Sequence, residues 1–119
     1  MSLQAYQKAQ RSAENPRETE YRLFAQVTQA LIAADKAGRK NPASFVDALD
    51  WNRRLWSALA VDCASDGNQL SQTLRAQIIS LSLWVSRFSS EAARTGASLE
   101  PLIDVNKSIM AGLAQRPAA

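Results

Sequence analysis

The sequence predicts an all-α fold, a small helical bundle of three to four main helices with a weak N-terminal helix in front. Three observations carry this. Apolar residues recur at i, i+3, i+4 and i+7 over most of the chain, the period of a helix with one buried face. Glycines and prolines, four of each, stand mostly at the borders of those periodic segments, where they start or stop helices. Ala, Leu, Gln and Arg are abundant and aromatics make up only 7%, which favours helix over strand. A chain of 119 residues with 46% apolar content fits one globular domain spanning 1–119, and no linker, repeat or low-complexity segment divides it.

Ser2 to Glu14 have good helix propensity, but their apolar content is only Leu3, Tyr6, Ala9 and Ala13. A helix this short is marginal alone, so it is expected to fray unless its Tyr6 side docks. Asn15-Pro16-Arg17-Glu18 is a start signal, with Asn15 as N-cap, Pro16 at N1 and Glu18 at N3. The helix it opens runs to about Ala37 and stops at Gly38. Its stripe is Leu23, Phe24, Val27, Ala30, Leu31 and Ala34. Asn41-Pro42 repeats the signal for a helix reaching about Ser65. At about 100° per residue, Phe45, Ala48, Leu49, Asn52, Trp56, Leu59, Ala60 and Cys63 share its face. Trp51, Leu55 and Ala58 form a displaced flank.

The longest pattern runs from Gln69 to Thr95 and is closed by Gly96. Leu70, Leu74, Ile78, Leu81, Trp84, Val85, Phe88 and Ala92 make its stripe, with Gln77 inside the arc. Ile79 and Leu83 fall nearly opposite. Ser98 is placed to cap a last helix whose stripe is Leu99, Leu102, Ile103, Asn106, Ile109, Met110 and Leu113. Arg116 to Ala119 read as a loose tail.

Composition excludes several function classes. There is no histidine and one cysteine, so Ser-His and Cys-His couples, histidine-containing zinc sites and an internal disulfide are all ruled out. Cys63 lies on the apolar stripe near Asp62 and Asp66, the wrong charge for a reactive thiol; it is expected to be buried and inert. Asp47/Asp50 and Asp62/Asp66 are carboxylate pairs without a third group to complete a catalytic or metal site. No metal, no cofactor and no enzymatic activity are expected. The net charge of +3 permits a nucleic-acid partner, but the densest cationic group is only Lys36, Arg39 and Lys40. The first residues carry no apolar signal core, and no apolar run approaches a membrane span, so the expected compartment is the cytoplasm.

Two features stay unabsorbed by a simple bundle. Asn52, Gln77 and Asn106 are amides set within apolar stripes, where a buried amide must be hydrogen-bonded. They are expected either to bond one another and fix the bundle register or to bond a partner. Surplus apolar residues, Trp51 and Leu55 on one helix and Ile79 and Leu83 on the next, exceed what one small core buries. Extra helices, a homodimer, or a groove for an amphipathic helix would each cover them.

Residues 15–24 (Asn-Pro-Arg-Glu-Thr-Glu-Tyr-Arg-Leu-Phe), Asn52 to Leu59, Leu74 to Val85 and Asn106 to Leu113 together resemble the FlaF family of flagellar biosynthesis regulators. The likeness covers nearly the whole chain, in block order and length. It implies a small helical protein that promotes flagellin synthesis and secretion, acts opposite FlbT, and has no catalytic residues. A flagellin-binding export chaperone fits what the resemblance implies, since flagellin termini are amphipathic helices. On that reading Trp51, Leu55, Ile79, Leu83 and Trp84 line the groove, with Arg54 and Arg87 on its rim. The alternative is an RNA-binding regulator of flagellin mRNA translation, with Lys36, Arg39, Lys40, Arg53 and Arg54 on phosphates. No aromatic residues are interleaved with these bases for stacking, which argues against it.

Overall fold

The computed structural model describes residues 16–67 and 70–114. The expected N-terminal helix, the Asn15 cap and the tail lie outside them. Four α-helices follow in order: α1 Pro16–Ala37, α2 Pro42–Ala64, α3 Gln72–Thr95 and α4 Glu100–Ala114, with a 3₁₀ turn, Gly38–Lys40, between α1 and α2. No strand occurs among the described residues. The chain is all-α, as its periodicity requires.

The helices start and stop where local chemistry directs. The Asn41 side chain accepts from Ser44 N at 3.2 Å, and Pro42 occupies the first turn of α2. Gly38 (φ 55°) and Gly96 (φ 71°) end α1 and α3 in the left-handed region, which only glycine enters without strain. Although α3 was expected from Gln69, it begins at Gln72. Ser71 takes the cap, its hydroxyl accepting from Leu74 N at 3.2 Å.

Three helix ends are finished by side chains from other parts of the chain. The Arg75 guanidinium donates from Nε to Cys63 O (2.6 Å) and from Nη2 to Ser65 O (3.0 Å), closing the C-terminus of α2. Arg39 Nη2 donates to Thr95 O at 2.8 Å at the end of α3. Asp35 Oδ1 accepts from Leu99 N at 2.8 Å, while Ser98 Oγ accepts from Glu100 N at 3.2 Å, at the start of α4. Cations at C-termini and a carboxylate at an N-terminus each match the helix dipole. Asp35→Ala is expected to cost about 1–2 kcal/mol, the usual loss for a cap, and Asp35→Asn to retain most of it. Urea unfolding of the three proteins measures both.

The core follows from which helices meet. α1 packs against both α2 and α4, and α3 packs against α2. Side chains of α4 also reach α2, so α1, α2 and α4 share one interior while α3 flanks it. Phe24, Val27, Leu31, Trp56, Leu99 and Leu102 fill that interior, and Ile78 and Val85 seal α3 to it. The Phe24 and Trp56 rings meet edge to face, centroids 5.5 Å apart at 86°, a geometry the ring quadrupoles favour. Cys63 is buried, as its place on the α2 stripe predicts.

Candidate docking surface

At the centre of the bundle lies a polar cluster built by residues from three helices. Trp56 Nε1 donates to Asn106 Oδ1 at 2.8 Å. Asn106 Nδ2 donates to Asn52 Oδ1 at 2.8 Å and to Thr28 Oγ1 at 3.2 Å. Thr28 Oγ1 in turn donates to Phe24 O at 2.6 Å. An indole N–H only donates, so the Asn106 oxygen must face Trp56 and its NH₂ must face Asn52 and Thr28. That leaves Asn106 with both donors used and an acceptor engaged. Asn52 and Asn106 thus bond each other in the interior, both with no exposed surface.

Gln77 is not part of this cluster. It is exposed and lies with Gln72, Thr73, Ala76, Ser80 and Leu81 along an open edge of α3. The reason is that, among the described helices, α3 packs mainly against α2, so its buried arc is narrower than the apolar stripe. Ile78, Val85, Ser89 and Ala92 are fully covered, while Leu74, Leu81, Trp84 and Phe88 are only partly so.

The expected groove with walls from α2 and α3 does not form either. Trp51 faces α1: it borders a crevice of about 470 Å³ with Ala30, Ala33, Ala43 and Ala48, and with Asn41, Ser44 and Asp47 on its polar side. Arg53, about 200° further round α2, faces α3, where its Nη2 donates to Ser90 Oγ at 3.0 Å. Trp51 and α3 therefore stand on opposite flanks of α2. Leu55 is half-buried against the core. Arg54 is exposed and pairs with Asp50 at 3.0 Å, a surface i,i+4 pair of small energetic worth. On α3, Leu83 and Arg87 fall one turn apart on an outer line, while Ile79, one turn before them, is half-buried against the core. Leu83 is 62% exposed and Arg87 is exposed. Trp84 is turned to another flank of α3 and is half-buried, its ring tilted against Phe88 at 5.1 Å.

The cations proposed for phosphate are not assembled into one patch. Arg39 is held at Thr95, Arg53 at Ser90 and Arg54 at Asp50. Among the described residues no group of three or more Cys, Asp and Glu side chains is placed to hold a metal ion. No helix among them is long and apolar enough to cross a membrane.

Fold and surface together define a small all-α protein whose interior is tied by amides and whose outer surface carries apolar crevices between helices. The chain belongs to the FlaF family: the family described as flagellar protein FlaF matches residues 2–113. Comparison with curated proteins and with solved structures gave no match.

Proposed function

We propose that this chain is a flagellin-binding export chaperone, and that by holding flagellin it promotes flagellin synthesis and secretion. The observation that carries the reading is Trp51, 41% exposed beside the four alanines of the α1–α2 crevice. A large ring left half in water next to small apolar side chains is the form of a receptor for an amphipathic helix. The alanines let a partner helix approach closely, and the ring supplies contact area of the kind that dominates interfaces. Membership of a flagellar family makes a flagellar polypeptide the first partner to test.

The reading keeps Trp51 and gives Leu55, Leu83 and Arg87 no share in the lining of that crevice. Co-expression with the cognate flagellin followed by size-exclusion chromatography is the test. A stoichiometric complex that elutes ahead of either protein is expected. Separate elution with every cognate flagellin, at concentrations above about 10 μM, sinks the proposal.

A further inference from the structure

A second crevice opens on the other flank of α2, where the 3₁₀ turn meets the end of α3. It measures about 410 Å³ and is lined by Pro42, Phe45, Val46 and Ala93 on its apolar side and by Arg39 and Arg94 on its charged side. The volume lies within the range of about 300–1,000 Å³ common for binding sites. Val46 is 49% exposed there.

The side chains that line this crevice carry charge of one sign. Arg39 and Arg94 are its charged residues and no carboxylate lines it. Arg39 spends one donor on Thr95 O and makes no ion pair with any described residue. Arg94 is exposed and has no ion-pair partner among the described residues. The C-terminus of α3 adds the opposite sign, but a helix end contributes only about half a charge, against two full guanidinium charges.

Arg39 is also held in place. A Cβ at position 96 would lie 2.9 Å from its Nε and 3.3 Å from its Nη2, so the guanidinium rests on Gly96. A cation fixed in this way loses less freedom on binding an anion than a free surface arginine does.

We propose that this crevice is a docking site for an acidic amphipathic peptide segment of a partner protein. A leucine-sized side chain enters between Phe45, Val46 and Ala93, and a neighbouring carboxylate pairs with Arg94 and the open edge of Arg39. The proposal does not depend on the Trp51 crevice or on flagellin being the partner, because the charge arrangement alone selects the ligand.

The experiment uses the full chain and two fluorescein-labelled helical peptides with identical leucine positions. One carries glutamates beside the leucines and the other carries lysines. Fluorescence anisotropy is expected to show the acidic peptide binding at least 10-fold more tightly at low salt, with the gap narrowing as salt rises. Arg94→Glu is expected to reverse that preference, and Val46→Asp to weaken the acidic peptide about 10-fold. In a Trp51→Glu background the Arg94-dependent preference for the acidic peptide is expected to persist, which separates this site from the flagellin reading. Arg94 and Val46 are exposed, so these variants keep the fold, which circular dichroism checks. Equal binding of the two peptides, no binding of either, or a preference untouched by Arg94→Glu overturns the proposal.

Discussion

Replacing Asn106 by alanine is expected to lower the free energy of unfolding by about 3–5 kcal/mol, at the upper end for a single substitution. The magnitude follows from the groups left behind. Trp56 Nε1 loses its acceptor and Asn52 Oδ1 loses its donor, both in the fully covered interior. Each orphaned group costs about 1–3 kcal/mol. Thr28 loses a donor too, but its own hydroxyl stays bonded to Phe24 O, so it adds little. Against a usual total stability of about 5–15 kcal/mol, the loss is a large fraction. A double-mutant cycle with Trp56→Phe separates the polar network from simple packing. In the Asn106→Ala background, Trp56→Phe removes a donor that is already orphaned, so it should cost about 1–2 kcal/mol less than in the parent. Additive effects, within about 0.5 kcal/mol, mean that the network contributes only volume.

The same cluster marks how far the sequence could be read. Asn52 and Asn106 are legible because each interrupts an apolar stripe at its centre, where burial is certain once the helix packs at all. Gln77 sits toward the margin of its stripe, and whether a margin is buried depends on how many neighbours the helix has. α3 has α2 on one side, and Gln77 lies beyond that contact. Thr28 and Ser89 are the converse. Each stands one turn after a core residue, Phe24 and Val85, and each is buried. Counting short hydroxyl residues as stripe members would have placed both; Thr28 returns its hydroxyl to its own helix, whereas Ser89 Oγ is buried without a hydrogen-bond partner among the described residues.

Helix termini divide along the same line. Local caps such as Asn41, Gly38 and Gly96 are legible because capping group and helix end are neighbours in sequence. Asp35, Arg39 and Arg75 act on helix ends 64, 56 and 10–12 residues away. In sequence each looks like an ordinary solvated charge. The groove failed for a related reason. A helical wheel gives the direction of Trp51 about its own axis but not which neighbour lies there. Surplus apolar residues on consecutive helices imply a shared groove only if the two flanks face each other. Here α1 takes the Trp51 flank and α3 takes the Arg53 flank.

Trp51→Glu is expected to weaken flagellin binding at least 100-fold while leaving the protein folded. A central interface tryptophan is worth about 2–4 kcal/mol on truncation, and each 1.4 kcal/mol is about tenfold in affinity. A carboxylate at position 51 lies beside Ala30, Ala33, Ala43 and Ala48 and one turn from Asp47, so covering it with a partner adds the cost of desolvating a charge next to a like charge. In the free protein the same charge has access to water, since Trp51 is 41% exposed, so stability should change by no more than about 1 kcal/mol. Leu83→Glu is the matched control: it puts an equal charge at a more exposed apolar position, on a helix that the α1–α2 crevice does not touch. Titration calorimetry of parent, Trp51→Glu and Leu83→Glu against flagellin, with unfolding curves alongside, decides the case. Loss with Trp51→Glu alone places flagellin in the α1–α2 crevice. Loss with Leu83→Glu alone moves the contact to the outer line of α3 and removes the Trp51 crevice from the binding account.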